Sequence, residues 1–376
     1  MIRRALGLLF AVFLSACRHE APTRSPGAVN RYARGFAIES YDGYKLLRIL
    51  RPYPGGTPQT FVLVPRDSTT LSLPDSLAAY PQIRVPVERI VATSVTHLEP
   101  LLMLGEGDKL VGFPQTQYIV SPYYRERVRQ GLLTDVGAEM MPDVERILAL
   151  KPDVMLVFST GNDRKDFSLY RRNGIPVVYM GEWMEKSPLG RSEWIKVFGA
   201  LTAKDNVASR LFDTIAAHYT AIRQRAATLP RNRKPVVFKG GKFGDKWYVA
   251  GGGSWAAHLI RDAGGRYFLD DTLQTGSMAL NHENALIYLL GSQVWLDPGM
   301  WASRAQIRRE VPALAAGRHL DSLKIYSVNL KTDEEGRILY FEKSPMHPDW
   351  VLEDLFRIFG RDSVPADSLH FYAPVP

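Results

Sequence analysis

Apolar residues along this chain fall into phrases of two kinds. Between residues 36 and 80 the runs "KLLRILRPY" and "TFVLVPRD" are short, β-rich and broken by proline and glycine, which predicts a few strands. Residues 36–81 are therefore read as an N-terminal β-rich extension. From residue 82 the pattern changes. "RIVATSV" is a β-rich run ending in small hydroxyl residues, His97 to Leu104 reads as a short helix closed by Gly105, and "KLVGF" is a second strand. "DVERILAL" follows Pro142 as a helix with acids in its first turn. "KPDVMLVFSTG" and "GIPVVYMGEW" are buried strands running into polar loops. Strands that alternate with helices predict an α/β fold with a parallel sheet covered on both faces, and ligands in such sheets bind beyond the carboxyl ends of the strands. Those ends are followed here by Ser94 to His97, Gln115 to Tyr118, Ser159 to Gly161 and Gly181 to Trp183.

A long stretch without strands comes next. Residues 190–200 and 204–228 carry helical patterns, the second with Val207, Leu211, Ile215 and Ile222 on one stripe. A rod of that second length spans about 38 Å, more than a crossover inside one small domain needs. Alternation resumes after Pro230. "KPVVFKGG" and "KWYVAGGGS" are strands, "SWAAHLIRDAGG" is a helix capped by Ser254 and stopped at Gly264, and "HENALIYLLGSQVWLDPG" repeats the helix-then-strand phrase of the first half. "PDWVLEDLFRIFG" is a closing helix. These patterns predict a first α/β lobe over 82–187, a linking helix over 188–230 and a second lobe over 231–376.

Composition changes the picture mainly at the N-terminus. Arg3 and Arg4 precede the apolar run Ala5 to Leu14, then Ser15 and Ala16 precede Cys17, so residues 1–16 have the layout of a secretory signal. The run is too short for a membrane-spanning helix. Cys17 is the single cysteine of 376 residues, which excludes an intramolecular disulfide and any multi-cysteine metal cluster. Residues 17–35 are polar and rich in proline, arginine and glycine, as a flexible tether is. The net charge of +8 is scattered without a long basic run and gives no nucleic-acid footprint. The eight histidines lie far apart, so no metal site is expected from local spacing. "GGSWA" lacks the last glycine of a nucleophile elbow, and "GGKFGD" lacks the spacing of a phosphate-binding loop. Catalysis is accordingly not expected, although a secreted lipoprotein hydrolase and a direct metal-ion-binding protein remain open alternatives.

Several of these phrases carry a resemblance. Leu14-Ser15-Ala16-Cys17 resembles the bacterial lipobox, which implies acylation of Cys17 and an exported protein anchored to a membrane, facing the periplasm or the cell surface. "RIVATSVTHLEPLLMLGEGDKLVGF", "DVGAEMMPDVERILALKPDVMLVFSTG", "AGGGSWAAHLIRDAGGRYFL" and "PDWVLEDLFRIFG" together resemble the substrate-binding proteins that feed ABC importers for iron–siderophore complexes, haem and cobalamin. The resemblance covers about residues 82–360 and leaves the extension outside the common pattern. It implies the class III periplasmic binding fold: two Rossmann-like lobes with mainly parallel sheets joined by one long backbone helix. It also implies a monomer without an intrinsic cofactor, a chelated-metal or corrinoid ligand between the lobes, and an ABC permease of the inner membrane as partner. By position, Glu145 in "DVERIL" and Glu283 in "NHENAL" match the carboxylates with which the family meets its permease. Cleft candidates are His97, Gln117, Tyr118, Phe158, Ser159 and Trp183 from the first lobe, and Lys242, Trp247, Tyr248, Met278, Trp301 and Lys343 from the second. Aromatic faces suit a large flat ligand, and lysines suit an anionic iron complex.

Overall fold

Strands Phe36–Tyr41, Tyr44–Ile49 and Gln59–Pro65 form an antiparallel meander, and Gln82–Val85 joins it in parallel. The computed structural model describes residues 24–25, 30–68, 72–138, 141–161, 167–315, 319–360 and 364–376; the expected signal segment 1–16 and Cys17 lie outside the described residues. Period-two alternation gives the meander two buried faces. Leu47, Ile49, Phe61, Leu63 and Ile83 point into the core shared with both lobes, whereas Tyr44, Leu46, Val62 and Val64 pack outward under Leu77. The extension is therefore built into the first lobe. The Gln59 side chain completes the bonding of the edge strand Val177–Tyr179, donating to the Val177 carbonyl at 3.1 Å and accepting from the Tyr179 N–H at 3.0 Å.

Residues 31–35, expected within the flexible tether, are instead bonded to the first lobe. The Glu193 carboxylate accepts from the N–H groups of Arg31, Tyr32 and Ala33, and Glu185 accepts from those of Arg34 and Gly35. The physical reason is non-local: two buried carboxylates would be costly without donors, and this backbone supplies them.

The first-lobe sheet is wholly parallel, in the order Val177–Tyr179, Val154–Val157, Ile90–Ala92, Leu110–Phe113, Thr134–Asp135. Its helix Val144–Leu150 starts where the sequence predicts, with Asp143 as N-cap accepting from the Arg146 N–H at 3.1 Å. In the second lobe, Val236–Phe243 pairs in parallel with Arg266–Tyr267 and Val294–Leu296, and Lys324–Ser327 extends that core. The same long strand then continues as an antiparallel hairpin with Lys246–Ala250, which in turn pairs with Ser277–Leu280. Across the two lobes the pairing is mainly parallel, as expected for this α/β fold.

One helix, Asp205–Ala227, joins the lobes. At 23 residues it is about 35 Å long. It buries Ala208, Phe212, Ile215, Tyr219 and Ile222 at helical spacing, against Ile195–Leu201 on the first-lobe side and Pro348–Gly360 on the second. Side-chain ties reinforce the connection. His347 Nε2 lies 2.8 Å from Glu99 Oε1, Arg125 reaches Glu335 at 2.7 Å, and Glu342 accepts from the Val120 and Ser121 N–H groups at 2.8 and 3.0 Å. Among the described residues, no helix is long and apolar enough to cross a membrane.

Candidate binding site between the lobes

A cavity of about 1000 Å³ lies between the lobes, and of the four first-lobe strand ends predicted to meet a ligand only the one ending in Trp183 reaches its lining. That is the upper end of the range for small-molecule pockets, roughly 300–1,000 Å³. In the second lobe it is lined by the carboxyl-end segments Lys239–Gly241, Asp297 and Val328–Asn329. Gly253, Ser254 and Trp255, at the start of the helix Trp255–Asp262, complete this side with Tyr248, Tyr340 and Phe341. The first lobe contributes Trp183, Met184 and Glu185, from the turn after the strand Val177–Tyr179. Arg51 and Pro54 come from the extension.

Local sequence explains how these groups are presented. Tyr248 faces the cavity because it alternates with the fully buried Trp247 along one strand. Glycines bring the backbone in closely: a Cβ at Gly240 would sit 2.3 Å from the Tyr248 carbonyl oxygen, and one at Gly241 would sit 2.5 Å from the Gly299 nitrogen. The Ser254 hydroxyl accepts from the Ala257 N–H at 3.2 Å, the capping role expected of it. The lining includes five aromatic side chains, those of Trp183, Tyr248, Trp255, Tyr340 and Phe341. Such an arrangement can hold a broad ligand by stacking and burial. Among the described residues, no three His, Cys, Asp or Glu side chains come together as a group able to hold a metal ion.

Of the twelve cleft candidates, the structure brings Trp183 and Tyr248 to the cavity. His97 is buried beside Phe198, and burial pushes its imidazole down to about 3, so it stays neutral. Trp247 and Trp301 are core residues packed with Trp295, and the Trp247 indole donates to His282 Nδ1 at 3.1 Å. Phe158 is not part of the lining, although its ring lies 5.7 Å from that of Trp183, and Ser159 is buried with its hydroxyl accepting from the Gly161 N–H. Gln117 and Tyr118 are exposed near the lobe junction, where Arg337 donates to the Gln117 carbonyl at 3.4 Å. Met278 packs against the core from the strand beside Tyr248, and Lys242 and Lys343 are half-buried away from the lining. Glu145 and Glu283 are both exposed in the first turns of their helices, Val144–Leu150 and His282–Leu290.

Sequence reasoning missed Arg51, Lys239, Trp255, Tyr340 and Phe341. The rule that ligands meet carboxyl ends of strands would have found Lys239 had it been applied to the second lobe as it was to the first. Nothing local marks Arg51.

A family model described as a periplasmic binding protein matches residues 90–288. An uncharacterised lipoprotein of Methanocaldococcus jannaschii is 22% identical over 363 residues, which is 91% of this chain and 84% of that protein. Most of the segment before residue 90 therefore falls inside that alignment. The vitamin B12-binding protein of Vibrio parahaemolyticus is 23% identical over 270 residues, covering 70% of this chain and 90% of that protein. Among solved structures, a periplasmic haem-binding protein of a Roseiflexus species in apo form superposes with a TM-score of 0.56 at 21% identity, over 73% of this chain and 98% of its own. At these identities the structural likeness is one of fold.

Proposed function

The chain belongs to the periplasmic binding protein family, and on that premise we propose that it is the substrate-binding component of an ABC importer. Its ligand is a large planar or chelated-metal compound, an iron–siderophore complex, haem or a corrinoid, taken between the two lobes. The observation that carries this reading is the 1000 Å³ cavity with five aromatic side chains around it. A cavity of that size, with several aromatic faces beside its polar groups, suits a broad, rigid ligand better than a small ion or a peptide. The vitamin B12-binding and haem-binding relatives support the same class of compound. Export and a lipid anchor at Cys17 would keep the chain beside its permease, and the lipoprotein relative supports that location. Glu145 and Glu283 would meet cationic pockets on the permease, each carboxylate being favoured beforehand by its helix N-terminus.

Thermal unfolding with hemin, cyanocobalamin or an iron-loaded hydroxamate siderophore tests the ligand class. A true ligand at a hundredfold excess over its Kd adds about 2.7 kcal/mol to the unfolding free energy and raises Tm by a few degrees. Unchanged Tm with all three compounds contradicts the proposal.

A further inference from the structure

One wall of the cavity comes from the N-terminal extension that is built into the first lobe. The loop between strands Tyr44–Ile49 and Gln59–Pro65 brings Arg51 and Pro54 to it. This loop is firmly seated. The N–H groups of Leu50 and Arg51 donate to the Gly35 carbonyl at 2.7 and 3.2 Å, and the Gly35 N–H donates in turn to Glu185. The Tyr53 ring meets Tyr179 edge-on at 5.0 Å. Two glycines of the first lobe receive the loop backbone: a Cβ at Gly181 would lie 2.0 Å from the Arg51 carbonyl oxygen, and one at Gly161 would lie 2.8 Å from that of Pro54. The loop is thus held across the carboxyl ends of the strands Val154–Val157 and Val177–Tyr179, where a two-lobed binding protein meets its ligand.

Charge then singles out one side chain. The cavity lining carries Arg51, Glu185, Lys239 and Asp297. Lys239 is paired with Asp297, whose other oxygen accepts from the Val328 N–H. Glu185 accepts from the Arg34 and Gly35 N–H groups and from the Trp194 indole. Among the described residues, the exposed Arg51 guanidinium has neither an ion pair nor a hydrogen bond. The N-terminus of the helix Trp255–Asp262 opens on the same space and adds a positive partial charge. We propose that Arg51, delivered by the N-terminal extension, pairs with an oxyanion at the periphery of the ligand, so that the extension selects chelates that carry such a group. This rests on the reading of the cavity as the ligand site.

Calorimetric titration with four probes tests it: hemin, whose oxyanions are carboxylates; hemin dimethyl ester, which lacks them; cyanocobalamin, whose oxyanion is a phosphodiester; and ferrichrome, which has none. The expected ligand is hemin or cyanocobalamin, and the two arms separate a carboxylate from a phosphodiester. Arg51→Ala weakens that probe about tenfold, the effect of losing a charge-assisted contact at an exposed site. Arg51→Lys recovers part of the loss, and Arg51→Ala leaves any binding of the ester unchanged. Gly181→Ala, which must displace the Arg51 carbonyl, weakens the same probe with the guanidinium retained. Binding by the wild type that Arg51→Ala does not alter, or tightest binding to ferrichrome or the ester, overturns the inference and leaves the ligand site standing. Failure of all four probes to bind the wild type overturns the reading of the cavity itself, and this inference with it.

Discussion

Glu342 ties the lobes together through a single side chain. It is almost fully buried and accepts from two backbone N–H groups at the start of the helix Pro122–Arg129. Burial pushes its carboxyl up to about 7, with the nearby Glu99 acting in the same direction and Lys343 against it. In the unfolded chain the group titrates near 4.5. The native state therefore holds its proton longer, and this group's stabilisation is lost as pH rises from about 4.5 through 7. We expect Glu342→Gln to remove up to about 3 kcal/mol of pH dependence across that window, measured by urea unfolding at several pH values. Identical pH profiles for the two proteins would contradict the assignment. At the same scale, Trp247 and Tyr248 show how far single residues could be read. Both were cleft candidates, yet neighbours on a strand point to opposite faces, so only one of them could face the ligand. The alternation was visible in the sequence; which face was the core depended on Trp295 and Trp301, brought in from distant segments.

Among the elements, the helix-then-strand phrases were the most legible. Val144–Leu150 and His282–Leu290 begin where their N-caps stand and are followed by the expected strands Val154–Val157 and Val294–Leu296. Helical periodicity and capping are local signals, so a single sequence carries them. The seating of residues 31–35, expected within the tether, was not legible, because their partners lie more than a hundred residues away. Glu193 shows this best: fully buried, it holds three successive backbone N–H groups at 31–33 and the Lys196 ammonium. Glu193→Ala leaves those donors without an acceptor and should cost about 2–4 kcal/mol. Asp213→Ala, at the exposed ion pair with Arg31, should change stability by less than about 1 kcal/mol. Chemical denaturation of the two variants checks the contrast, and equal effects would mean that the pinned segment does not matter to the fold.

Over the whole molecule, the long helix and the lobe-to-lobe ties favour a cleft of nearly fixed width. A continuous helix offers no loop to absorb large backbone rotations, so modest closure around a ligand is expected. A rigid body that presents one carboxylate on each lobe fits the proposed docking. Reversing both charges, Glu145→Lys with Glu283→Lys, should abolish uptake in cells while ligand affinity stays within about twofold of wild type. Uptake that persists in the double variant would remove these residues from the docking surface.

The central claim is that one broad metal chelate or corrinoid occupies the cavity between the lobes. Native mass spectrometry of the purified chain, mixed in turn with hemin, cyanocobalamin and an iron-loaded hydroxamate siderophore, tests it most directly. The account predicts a one-to-one complex with one of these compounds that is depleted when Trp255, at the cavity wall, is changed to Ala. No retained compound, or a complex indifferent to that substitution, would contradict it.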